Sequence, residues 1–143
     1  MDIKVGEYVR THVGTIKKII KIDKHLVMVG HGMQDWHYYC KTDKGNKLFA
    51  ETLEELQMQL KKAIKTHSFD ILDLIEVGDY VNGYKVLDFK KKEDRIMICI
   101  ARIGISERWL TFYRNEILDI LTGAEFLRRT YFVEENKCTK SEI

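Results

Sequence analysis

The chain has 143 residues, 45% of them apolar and 32% charged, with 24 basic against 22 acidic side chains. That length suits one ordinary domain or two very small ones, and the apolar share excludes a disordered chain. No apolar run approaches the ~20 residues of a membrane helix, and MDIKVGEY lacks a basic-then-apolar leader; a cytoplasmic protein with no membrane partner is expected.

The net charge is +2, and the whole excess falls in residues 1–40, around Lys17, Lys18, Lys21 and Lys24. Proteins dedicated to nucleic acid carry a stronger basic stripe, because phosphate neutralisation dominates their affinity. The three cysteines, Cys40, Cys99 and Cys138, are odd in number and far apart. They offer neither a disulfide framework nor a C-x-x-C pair.

The chain opens with IKVGEYVRTHVGTI (3–16), in which Val-Gly-acid-Tyr-Val precedes a turn. Short strands are expected at Glu7–Thr11, Thr15–Ile22, His25–Val29 and Asp35–Cys40, rich in Val, Ile and Tyr. TDKGNK (42–47) is turn chemistry. ETLEELQMQLKKAIKTHS (51–68) predicts a helix, with Leu53, Leu56, Leu60 and Ile64 on one stripe and a Thr52/Glu55 capping box. Acidic residues at its start and Lys61, Lys62 and Lys65 at its end suit the helix dipole. Ile71–Ile75 is expected to close this first set of strands.

IEVGDYVNGYKV (75–86) then repeats the opening, with Val77-Gly78-Asp79-Tyr80-Val81 at an offset of 72 from Val5-Gly6-Glu7-Tyr8-Val9. Internal repeats carry architecture. Downstream, DWHYY (35–39) falls opposite RWLTF (108–112), which pairs Trp36 with Trp109, and ILDLI (71–75) falls opposite ILDIL (117–121). The difference in spacing implies that the first copy holds a helical insertion over about residues 41–68. Second-copy strands are expected at Asp79–Asn82, Lys85–Phe89, Arg95–Ala101, Arg108–Tyr113 and Ile117–Leu121. Thr122 and Glu125 offer a second capping box before a short helix, TYFVEE (130–135) a last strand, and 136–143 a tail.

Five short strands per copy suggest small antiparallel barrels, whose closure removes exposed edges. The shared VGEYV opening resembles SH3-like and KOW-type barrels. The expected fold is mainly β (α+β): two tandem SH3-like barrels, at 1–74 and 75–135, the first carrying the inserted helix. The segments HSFDILDLIEVGDYVNGYKV (67–86) and NEILDILTGAEFLRRTYFVEE (115–135) resemble uncharacterised small proteins encoded in phages and prophages of Gram-positive bacteria. That resemblance transfers no catalytic residue. It implies a mobile-element origin and a role of the kind such accessory proteins take, inhibition of a host defence complex, anti-CRISPR or other.

The chain contains no G-x-S-x-G, P-loop, H-E-x-x-H or G-x-G-x-x-G. His31, His37 and Cys40 could be read as metal ligands, but residues three apart on a strand face opposite sides. Glu134 and Glu135 diverge for the same kind of reason. No enzyme, cofactor or metal is therefore expected. Binding candidates are aromatic and basic residues on the fourth strands: Trp36 and Tyr38 in one copy, and Arg108, Trp109, Tyr113 and Arg114 in the other. These suit either protein hot spots or base stacking, and equally a core or inter-barrel packing role. The polar helix face adds Gln57, Gln59, Lys61 and Lys62. Lys90-Lys91-Lys92 is expected to be a solvated hairpin tip. Three functions follow: an inhibitor that occludes a host protein or ribonucleoprotein complex; a KOW-like nucleic-acid binder using Lys17, Lys18, Lys21 and Lys24; and a sponge for a nucleotide signal, held by Arg102, Arg108 and Trp109.

Overall fold

Valine-, isoleucine- and tyrosine-rich runs broken by positive-φ turns give a mainly β chain with three antiparallel sheets among the described residues. The computed structural model describes residues 2–117 and 119–128. The expected strand at 130–135 and the tail at 136–143 lie outside them. The chain divides into two units. The first comprises the residues up to His12 with Ile16–Leu74; the second comprises Val13–Thr15 with the residues from Ile75 onward.

In the first unit the strands are β1 (Tyr8–Thr11), β2 (Ile16–Gly30), β3 (Met33–Thr42), β4 (Lys47–Ala50) and β5 (Ile64–Ser68), with α1 (Leu53–Ala63) between the last two. They form one sheet in the order β4-β3-β2-β1-β5. β2 is a single strand of 15 residues, not the two expected at Thr15–Ile22 and His25–Val29. It turns into β3 through His31 (φ 48) and Gly32 (φ 75). Two successive positive φ values match the right-handed twist of a two-residue hairpin. α1 starts where expected, the Thr52 side chain accepting from the Glu55 N–H at 3.1 Å, a cap worth about 1 kcal/mol. It stops at Ala63, short of the expected Ser68, because Ile64–Ser68 pairs with β1 as β5. Ile71–Leu74, expected as the closing strand, is a 3-10 turn.

Leu56, Ile3, Val9, Ile19, Cys40 and Leu60 form the buried core of this unit. Gln57, placed by sequence on an outward polar face, is buried instead. Its amide oxygen accepts from the Ile3 N–H and its Nε2 donates to the Ile3 carbonyl, each at 2.9 Å. One side chain thus does for Ile3 what a neighbouring strand would do.

The second unit contains β6 (Tyr80–Val81), β7 (Tyr84–Lys85), β8 (Asp88–Lys92), β9 (Arg95–Ile103), β10 (Ser106–Tyr113) and β11 (Ile120–Leu121). They form two sheets, β10-β9-β8 and β11-β6-β7. Val81, Val86, Ile96, Ile98 and Cys99 are fully buried. Thr122 caps a helical turn over 123–128, accepting from Glu125 N–H at 3.1 Å and donating its own N–H to the Glu125 carboxylate at 3.3 Å. Phe126 stacks on Tyr80 at 3.8 Å. Among the described residues neither unit forms a closed barrel: β4 and β5 end the first sheet without pairing with each other, and the second unit splits its strands between two sheets.

The repeat is a physical device as well as a sequence pattern. Glu7 accepts from the Lys4 N–H at 2.6 Å, and Asp79 from the Glu76 N–H at 2.8 Å. Gly6 (φ 94) donates to the Ile19 carbonyl, and Ile19 donates back to Glu7. Gly78 (φ 97) and Val86 do the same with Asp79. A positive φ near 95° strains any residue with a Cβ, which is why both copies hold glycine there. In each unit the first strand then pairs on its free side with the last described strand, β1 with β5 and β6 with β11. A capped helical turn follows both closing strands.

Trp36 lies on β3 where its described strand partner is β2, and Trp109 lies on β10 where its described partner is β9, so each sits on the second strand of a hairpin. The matching ILDLI and ILDIL differ, one being a 3-10 turn and the other ending in β11. Cys40 and Cys99 are buried, and desolvation pushes the Cys40 thiol up from its ordinary pKa. Because the thiolate is the reactive form, iodoacetamide at neutral pH is expected to leave peptides carrying Cys40 and Cys99 unmodified in the native protein and to alkylate both after denaturation, as read by mass spectrometry.

Candidate functional site

β2 and β3 stay paired from Ile19↔Thr42 out to Gly30↔Met33, while β1 and β4 flank only the inner part of that ribbon. The outer part, Lys24 to His37, is therefore a two-stranded arm. Residues directly opposite share a face. One face carries the Leu26/Trp36 and Met28/Gln34 pairs. Leu26 is 47% exposed, Met28 61% and Trp36 49%; Val29 and Met33 at the tip are 51% and 65% exposed. The Lys24 ammonium lies 4.8 Å from the centre of the Trp36 ring. Tyr38, two residues inward on the same face as Trp36, packs against the core.

The opposite face carries an aromatic cluster. His25 meets Tyr39 edge-on at 5.6 Å and Phe49 at 5.4 Å, and lies 6.3 Å from His37. Its Nε2 has no hydrogen-bond partner among the described residues. Lys21 and Lys47 flank the Tyr39 ring at 5.9 and 5.8 Å, and a hydrogen bond to Tyr39 raises the Lys21 pKa. The four lysines singled out by charge have different neighbours. Lys18 covers Tyr8, Lys21 covers Tyr39, Lys24 covers Trp36, and Lys17 lines a cavity.

That cavity, of about 180 Å³, is walled by Val9, Ile19, Cys40, Leu48, Leu60 and Ile64 among others. It is the space left where β4 and β5 do not close. Ligand pockets for drug-sized molecules usually run from about 300 Å³ upward, so this one is small for a nucleotide.

In the second unit, Asp88/Cys99/Trp109, Lys90/Met97/Thr111 and Lys92/Arg95/Tyr113 form successive rows across β8-β9-β10. Alternation puts all three rows on one face. The Lys90 ammonium lies 5.3 Å from the Trp109 ring centre, and the Arg95 guanidinium 5.8 Å from that of Tyr113. Lys90 and Lys92 belong to β8; the expected lysine-rich tip is instead the Glu93-Asp94 turn. Arg102 is held by two carboxylates, Glu107 at 2.9 Å and Asp88 at 3.2 Å. The Glu107 hydrogen bond is the first cause of its raised pKa. Arg114 donates to the Glu93 carbonyl at 3.0 Å, and Arg108 is exposed. On α1, Lys61 pairs with Asp2 at 3.2 Å and Lys62 is exposed.

Sequence reasoning missed Leu26, Met28 and Met33, whose signal was the continuous apolar run Leu26-Val27-Met28-Val29 in HLVMVGHGM, and it did not connect Lys90 and Arg95 to the rings they cover. Among the described residues no three His, Cys, Asp or Glu side chains converge as metal ligands, and no helix is long and apolar enough to cross a membrane. His37 and Cys40 lie on opposite faces of β3. Compared with protein-family models, with curated proteins and with solved structures, the chain finds no match in any of the three.

Proposed function

We propose that this chain is a non-catalytic accessory protein of the phage anti-defence kind, which binds a host protein or ribonucleoprotein complex and inhibits it by occlusion. In this reading its two units are diverged copies of one SH3-like, KOW-type module. The recurring turn and the closing-strand pairing support the duplication. The binding function rests on the arm, where Leu26, Met28, Val29, Met33 and Trp36 are all exposed. Exposed apolar surface gathered in one place marks an interaction site rather than a folding requirement, and tryptophan beside a cation is typical of an interface anchor.

The test is capture of the tagged protein's partners from bacterial lysate, with and without nuclease, by wild type and by a Met28→Glu/Met33→Glu variant. Both methionines are exposed, so each change should alter stability by no more than about 0.5 kcal/mol. The expected result is one stoichiometric complex that survives nuclease and is recovered at least about tenfold less by the variant, since two charges forced into an apolar contact cost well over the 1.4 kcal/mol that a factor of ten represents. Equal recovery by the variant would remove the arm from the interface.

A further inference from the structure

We infer that the outer face of the β8-β9-β10 sheet is a binding site for a single strand of nucleic acid, with Trp109 and Tyr113 as stacking surfaces and Lys90, Lys92 and Arg95 as phosphate contacts. The inference stands apart from the arm and uses other residues. Three rows of this face place cations and rings alternately: Lys90 against Trp109, and Lys92 beside Arg95 and Tyr113. Among the described residues neither Trp109 nor Tyr113 has a ring partner, whereas Tyr39 in the first unit is covered by His25 and Phe49. A side-chain cation lies over each ring, with Trp109 half-buried and Tyr113 42% exposed.

An exposed cation–π contact is weak and exchanges easily. A base sliding onto Trp109 would displace the Lys90 ammonium, which could turn to the flanking phosphate without leaving the site. The acidic groups nearby lie at the ends of this face. Asp88 is already paired with Arg102, and Glu93 and Asp94 sit in the turn beyond Lys92. Trp109 and Tyr113 are four residues apart on β10, about 13 Å along a strand, which spans a few nucleotides. Stacking needs splayed bases, so the face selects single strands over a duplex.

A Trp36→Phe variant makes Trp109 the only tryptophan of the chain. Titrating it with dT12, rU12 and a 12-base-pair duplex should quench its emission with the single strands and much less with the duplex; comparing dT12 with rU12 separates DNA from RNA. Three phosphate contacts at a slope of about −0.7 each predict roughly 20-fold weaker binding between 50 and 200 mM salt. Trp109→Ala should weaken binding of labelled oligonucleotide, read by anisotropy, by roughly 5- to 150-fold, the range for one lost base stack. Should that variant fold poorly, Lys90→Glu/Lys92→Glu, both at exposed positions, serves instead and should also cut the salt slope by about two thirds, leaving the Arg95 contact. No quench and flat anisotropy up to about 10⁻⁴ M, the weak end of non-specific binding, would overturn the proposal. So would equal affinity for the duplex, or unchanged affinity in both variants. The arm reading is untouched by any of these results.

Discussion

Leu56→Ala is expected to lower the free energy of unfolding by about 3–5 kcal/mol, measured by denaturant titration. Leu56 is fully buried at the centre of the first unit's core, against Ile3, Val9, Ile19, Cys40 and Leu60. Removing its branched end loses the transfer free energy and leaves a cavity in the core. Leu53→Ala is the control on the same helix. Leu53 is 45% exposed, and alanine is the better helix former, so its loss should stay under about 1 kcal/mol. Equal losses at the two positions would mean that α1 does not carry the core.

The features legible in the sequence are those decided locally. The Val-Gly-acid-Tyr-Val turn was readable twice because a positive-φ glycine and a short-range acid-to-backbone bond need nothing from the rest of the chain. The start of α1 was readable because its cap is three residues long. Its end was not. Ile64, Lys65, Thr66 and His67 can continue a helix, and what stops them is the open edge of β1, which takes them as β5; tertiary pairing overrides propensity.

The same argument explains the lost strand boundary at Asp23-Lys24. A charged pair marks a turn only if one face of the strand is buried, and the β2–β3 arm has solvent on both faces. The binding surfaces were half visible. Trp36, Trp109 and Tyr113 stood out by type, but Lys90 and Arg95 are brought to Trp109 and Tyr113 only by the register of three strands.

The acid of the repeated turn gives the second large effect. Glu7→Ala and Asp79→Ala are each expected to cost about 1–3 kcal/mol, on the scale of buried polar groups left unpaired, and the copies should differ in the coupling to histidine. Glu7 is 6% exposed and serves two partners: the Lys4 N–H at 2.6 Å and His67 Nδ1 at 2.8 Å. Asp79 is 1% exposed and holds the equivalent Glu76 N–H. Register puts His67 opposite Val9, and Ile120 opposite Val81, so the second copy has no imidazole at that place. The longer acid accompanies the histidine, and the shorter one accompanies isoleucine. Glu7→Asp should therefore keep the turn and lose the reach to His67, at about 1 kcal/mol. A double-mutant cycle of Glu7→Ala with His67→Ala should return a coupling of about 0.5–3 kcal/mol, and one of Asp79→Ala with Ile120→Ala close to none. Equal coupling in both copies would mean that the acid acts through the turn alone and that the histidine beside Glu7 adds nothing to it.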